Sequence, residues 1–412
     1  MSESTLAHSS TAAPLPAPPA VAGPAPVTPL HSGAVASLHE AAVELLPWAR
    51  ARLRHHAEHE SPSGEAAAID TFGETLLAGY AETGAETMTL AGPDGDHLLA
   101  CWPGAVPAAP PALLLGHHDT AWPPGQLAAM PCVDDGTTLT GPGVLDGKSG
   151  LVVAEMAIRL LNLAGLAPAQ PVRLFVSADT VVGSPTARPY LVAETARAGA
   201  VLGLAAPRPD GVLTTGRAGG ARVLLRATAE SDQASAVDEL LDQLAAVRAA
   251  AGRAGATVNI GRLGGGTDAY AVAEVAGAEL GVRFAGPQSE RAVLDAVAAL
   301  GPFRPGMAVR AEALAVVPAW PAPTANPLLE WVAATGQRHG MAVVGAASTE
   351  PVDCASDTNH AGALGAPTLD GFGGVGSRVR TTDAAEERIR VDSLLPRAML
   401  LAVLLAQPLP RR

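Results

Sequence analysis

The chain has 412 residues, with 27 Lys+Arg against 40 Asp+Glu, a formal net charge of -13 and an isoelectric point near 5.3. At roughly 150 residues per domain this length predicts two or three domains, and an apolar share of 48% excludes a largely disordered chain. An acidic chain without a basic block is a poor partner for nucleic acid or an anionic membrane, so neither is expected.

From the N-terminus, residues 1–33 are rich in Ser, Ala and Pro and lack both a basic start and an unbroken apolar stretch. They read as a disordered tail, not as a secretory signal. Cys101, Cys132 and Cys354 are odd in number and widely spaced, which fits a reducing, cytoplasmic compartment. Residues from Ala34 to Arg54 and from Glu65 to Glu82 carry apolar residues at helical spacing. Short apolar runs follow at Met88–Leu90, Leu98–Trp102 and Ala112–Leu115. The last has no polar alternation, as expected of a strand buried on both faces. A helix from Gly147 to Leu163 and a buried strand from Val172 to Val176 complete an α/β pattern. From about 219 to 318 the order becomes βαββαβ, which can form a small ferredoxin-like unit by itself. Helix and strand signals then return at Asn326–Arg338 and Thr368–Leu369. The reading is an α/β core in two parts, 34–218 and 319–412, with a small α/β unit inserted between them at 219–318. The longest late apolar run, Met399 to Ala406, is far shorter than the ~20 residues needed to cross a bilayer.

Two segments carry chemistry. In Gly116-His117-His118-Asp119 the first His ends a buried strand, facing the crevice where α/β sheets bind ligands. Asp119 can accept its other ring N–H, as orienting carboxylates do for metal-bound histidines; a strand-end loop with satisfied side chains fits the same residues. In Gly141-Pro142-Gly143-Val144-Leu145-Asp146-Gly147-Lys148 a carboxylate sits in a Gly-rich turn at a helix start. There Asp146 can bridge two cations, or serve as a plain N-cap. Lys148 is the sole lysine of the chain.

Taken with Asp179…Gly183-Ser184, Asn259-Ile260-Gly261-Arg262, Gly264-Gly265-Gly266-Thr267 and Thr368-Leu369-Asp370-Gly371, these segments resemble the M20 metallopeptidase family, in particular its glutamate carboxypeptidase-like branch. The resemblance runs from Ala34 onward. It implies an M20-type core with an inserted ferredoxin-like lid that also serves dimerisation, hence a homodimer. It also implies two zinc ions bridged by an Asp, with a Glu as general base.

Residue by residue, His117 matches the family's first zinc ligand, Asp119 its orienting acid and Asp146 the bridging Asp. The remaining positions differ. Thr180 stands at the position of the base, Val181 and Ala205 at those of two acidic ligands, and Arg380 at that of the late His when counting forward from Gly376. Counting back from Glu387 places the late His at Thr382 or Asp383 instead. With His117 and Asp146 alone the metal site is incomplete, and bound zinc would be weak; no cofactor is expected. A base typically contributes roughly 100- to 10,000-fold, so ordinary hydrolysis is expected to be lost. In the forward register Arg380 can place a guanidinium by Asp146 in lieu of metal charge.

Three readings follow. The first is a protein without di-zinc hydrolysis that binds a small amino-acid, acyl-amino-acid or peptide ligand, with Arg217, Arg283 and His360 as contacts. The second is a metal-independent enzyme of different chemistry, using His117, Asp119, Asp146 and Lys148. The third is a single-zinc amidohydrolase that recruits His118, Asp179 or His360. His55 and His59, four apart on the first helix, read as a solvated face or a metal-chelating pair.

Overall fold

The computed structural model describes residues 30, 32–208, 211–230, 234–341, 343, 345–346, 355–380 and 385–410. Residues 1–29 and 31 of the Ala/Pro-rich tail, Cys354, Thr382 and Asp383 lie outside the described residues, and the first helix begins at Ser32, inside the span read as tail.

A six-stranded sheet forms the core. Its order is Glu86–Leu90, His97–Trp102, Val172–Ser177, Ala112–His117, Ala200–Gly203 and Thr368–Leu369. The first two pairings are antiparallel and the other three parallel. Every residue of Ala112–His117 is buried, as the uninterrupted apolar run requires. Side chains alternate between the two faces of the sheet. Leu114, Leu174 and Val176 pack into the larger cluster, and Leu113, Leu115 and Phe175 into a second one on the opposite face. The helices Ser32–Ala57, Ser149–Leu163 and Leu394–Leu405 pack on one another in the larger cluster. The late apolar run is therefore the buried wall of a core helix, and each fully buried Leu there contributes roughly 1.5–3 kcal/mol. No helix of the described residues is long and apolar enough to cross a membrane.

Between Gly219 and Val317 the chain builds a four-stranded antiparallel sheet backed by two helices. Its strand order is Ala256–Gly265, Val275–Phe284, Gly219–Ala229, Met307–Val317, and the helices are Ala236–Arg253 and Pro287–Ala298. Two adjacent crossings link it to the core. Arg217 and Trp320 exchange backbone hydrogen bonds there, at 2.7 and 2.9 Å.

Three further elements border the cleft. The helix Arg188–Arg197 follows a strand-end loop, the one-turn helix Thr358–Ala363 precedes the last core strand, and the hairpin Gly376–Arg380/Ala385–Arg390 pairs with Thr138–Thr140.

Candidate functional site

His117 closes the central strand, and its ring is held on both sides. Nδ1 donates to the Asp119 backbone carbonyl at 3.0 Å and to Asp119 Oδ1 at 3.1 Å. Nε2 lies 3.4 Å from Asp146 Oδ1. Burial alone would lower the His117 pKa, but the hydrogen bonds to Asp119 and Asp146 outweigh it and hold the ring well above the ordinary histidine value. Asp119 is fully buried, yet its carboxyl stays below the usual range. Against the cost of burial it receives His117, the Ser63 hydroxyl at 2.6 Å and the Val181 backbone N–H at 3.0 Å.

Asp146 is placed by an irregular turn, Val144–Lys148, ahead of the helix Ser149–Leu163. Gly147 has φ +107°, and a Cβ there would meet the His117 carbonyl at 2.8 Å, so only glycine lets this turn approach the strand end. Glu387, on the hairpin, holds the turn from behind. Its buried carboxylate accepts the backbone N–H groups of Gly143, Leu145 and Asp146 at 3.0, 2.9 and 2.7 Å, and the Trp122 indole N–H. Burial, then the nearby Asp146, pushes the Glu387 carboxyl above its usual value despite these donors. In sequence Glu387 served only as a counting mark; an acceptor of scattered backbone N–H groups leaves no pattern to read.

The second oxygen of Asp146 meets an arginine. Arg378 Nη1 donates to Asp146 Oδ2 at 2.5 Å. The guanidinium beside Asp146 thus comes from Arg378, two residues before the expected Arg380, whose side chain lies outside the described residues. Burial opposes ionisation of Asp146, but His117 and Arg378 together keep its carboxyl far below the ordinary range.

The replaced positions line the facing loop. Thr180 donates its hydroxyl to Asp357 at 2.7 Å, and Val181 exposes 39% of its surface. Ala205 offers its carbonyl to the Gly373 N–H. His118 points to the other face of the strand end. Its Nδ1 donates to the Ser177 carbonyl at 2.9 Å, its Nε2 meets no partner among the described residues, and burial pulls its pKa down to about 4. Asp179 accepts the Thr186 N–H and hydroxyl, both at 2.7 Å. Neither turns toward Asp146.

Of the remaining expected contacts, Lys148 is fully buried beneath the turn. Its ammonium donates to the His59 carbonyl at 2.6 Å and sits 5.0 Å from the Phe72 ring centroid. Burial draws its pKa down to about 7. Arg217 pairs with buried Asp370 at 3.0 Å. Arg283 lies exposed on the inserted sheet, opposite Gly220 and Thr257. His360 is buried in the one-turn helix, with Nε2 making no hydrogen bond among the described residues. His55 and His59 stack edge to face at 4.4 Å, and His59 Nδ1 donates to the His55 carbonyl. A cavity of about 810 Å³ lies away from the cleft, between the first helix and residues such as Thr137, Arg390 and Asp392.

The donor set does not fit a pair of zinc ions. A bridging carboxylate must offer one oxygen to each metal, but here one oxygen lies 3.4 Å from His117 Nε2 and the other accepts from the Arg378 guanidinium, and no further acid or histidine joins them in a metal-binding group among the described residues. Among the described residues no three His, Cys, Asp or Glu side chains are grouped to hold a metal ion.

Residues 113–407, well over half of the chain, match the family described as Peptidase family M20/M25/M40. Several solved structures share the fold. The di-peptidase Dug1p from Saccharomyces cerevisiae is 12% identical with a TM-score of 0.65, covering 91% of this chain and 98% of its own. Human carnosine dipeptidase 1 is 10% identical with a TM-score of 0.64, covering 90% and 99%. An M20 family metallo-carboxypeptidase from Sulfolobus solfataricus is 14% identical with a TM-score of 0.64, covering 87% and 98%. A comparison of the sequence with curated proteins gives no match.

Proposed function

The chain belongs to peptidase family M20/M25/M40, and from that premise we propose that it has left di-zinc hydrolysis behind and uses the old cleft to bind a small amino-acid, acyl-amino-acid or peptide ligand. One observation carries this reading: the Asp146 oxygen turned away from His117 is taken by the Arg378 guanidinium. Fixed positive charge replaces the charge that metals would bring, and no metal enters the account. The base position supports it further, because Thr180 carries a neutral hydroxyl, far too weakly basic to take a proton from water as a carboxylate would. A ligand of the peptidase type is the natural occupant of a cleft of this ancestry, and kinship to the glutamate carboxypeptidase-like branch belongs to the same proposal. Membership of a homodimer through the inserted sheet, whose edge strand Ala256–Gly265 exposes Leu263, and a cytoplasmic setting are further parts of it.

A chemistry centred on Lys148 has less support, since the amine is buried on the His59 carbonyl. The test is a thermal-shift and calorimetric panel of N-acyl amino acids and dipeptides, run beside a hydrolysis assay on the same compounds with zinc added. Saturable binding without turnover is the expected result. Chelator-sensitive turnover would overturn the proposal, as would the lack of binding by any member.

A further inference from the structure

The core and the inserted sheet are joined at two chain crossings, residues 217–219 and 317–320, and one buried side chain clips them together. The Asn359 amide donates to the Ala218 carbonyl at 3.0 Å and to the Pro318 carbonyl at 2.9 Å. Asn359 has no solvent exposure, and nearby Gly362 lies so close to Trp320 that a Cβ would enter the indole ring. This hinge is thus held by the one-turn helix Thr358–Ala363.

Two residues before Asn359, Asp357 reaches in another direction. Its carboxylate accepts three hydroxyls from one loop of the cleft, those of Ser177, Thr180 and Ser184. Ser177 and Ser184 are buried, whereas Thr180 is only partly so and stands where the family's base would be. Ser184 is held at φ +56°, the only non-glycine with positive φ among the described residues, so the loop sits in a conformation that its surroundings must enforce. The same loop touches the inserted sheet. Arg222 Nη1 reaches the Val182 carbonyl at 3.5 Å, and a Cβ on Gly183 would lie 2.9 Å from Ala315 Cβ.

We propose that Asp357–Asn359 is a mechanical link between cleft and hinge, reporting the position of the Thr180 loop to the two crossings. One rigid turn of chain carries the acceptor for the loop and the donor for the hinge, with no residue other than Thr358 between them. A ligand that draws the Thr180 hydroxyl away from Asp357 shifts this turn, loosens the Asn359 clip and changes the freedom of the inserted sheet. The link does not depend on what occupies the cleft or on whether hydrolysis is lost.

The experiment is hydrogen exchange on the full chain, read at the Arg217 and Trp320 amides that pair across the hinge. Thr180→Val keeps the shape but removes the hydroxyl, and is expected to speed exchange at these amides roughly tenfold while the central strand Ala112–His117 stays protected. Thr180→Ser, which retains a donor, is expected to match the unaltered protein. Asn359→Leu is expected to speed the same amides, and adding Thr180→Val to it should bring little more. Val153→Ala, in the core away from the link, serves as the control for general loss of stability. Unchanged hinge exchange in Thr180→Val alongside faster exchange in Asn359→Leu would overturn the proposal. So would a uniform rise throughout the chain like that of Val153→Ala, or full additivity in the double variant.

Discussion

The two walls of the cleft have fared differently. On one wall, His117, Asp119 and Asp146 keep the residue types of a zinc peptidase, and on the other Thr180, Val181 and Ala205 do not. The retained residues have structural partners. Asp119 holds the Val181 and Ser63 groups, and the turn bearing Asp146 hangs from Glu387. Acids at the replaced positions would need a metal to neutralise their charge. On the proposal that the metals are gone, the acids that also anchor the fold are the ones retained, while Thr180 holds its place through a hydroxyl bond to Asp357.

The contrast breaks most visibly at Glu387. Glu387→Ala strands three backbone N–H groups and the Trp122 indole in a buried site, and a loss of about 3–5 kcal/mol in urea unfolding is expected. A loss near zero would show that the turn stands without its anchor.

Next come the two neighbouring histidines, which respond to pH in opposite senses. The folded pKa of His118 lies below its unfolded value, so its contribution is complete above pH 6.5 and falls away as the pH drops toward 4, by about 3 kcal/mol. Fully buried His56, its pKa also lowered by burial, acts in the same direction. His117 has a raised pKa, so its contribution is complete below pH 6.5 and is lost as the pH rises through the folded value. Histidine NMR titration is expected to find His117 protonated at neutral pH and His118 neutral down to about pH 4. His118→Phe should flatten the acid limb of stability.

A smaller effect sharpens the comparison from the other wall. Thr180→Glu returns the family's acid but sets it against Asp357 and removes a hydroxyl donor. A cost of about 1–3 kcal/mol is expected from like charge and the lost hydrogen bond. The smallest effect belongs to Arg378→Ala. That ion pair is part-exposed, so a change of at most about 1 kcal/mol is expected, with the Asp146 carboxyl titrating higher than before.

Much of this was legible in sequence, for identifiable reasons. The strand Ala112–His117 announced itself through its run Ala112–Leu115 because strands buried on both faces carry no polar alternation, and the Asp146 turn because glycines bracket a lone acid. Arg378 was not legible. Which arginine of Gly376–Arg380 faces the turn depends on hairpin register, and counting from either side gives different answers. Asp357 was hidden for another reason: its three hydroxyl partners come from a loop more than 170 positions away, without any spacing that marks them.

The most direct test of the central claim is zinc stoichiometry. Purified protein would be equilibrated with excess zinc at neutral pH, desalted and assayed by plasma mass spectrometry, beside a calorimetric zinc titration. With His117 and Arg378 on Asp146, the expected result is well under one tightly held zinc per chain. Two zinc ions retained per chain, with displacement of Arg378 from Asp146, would contradict the account.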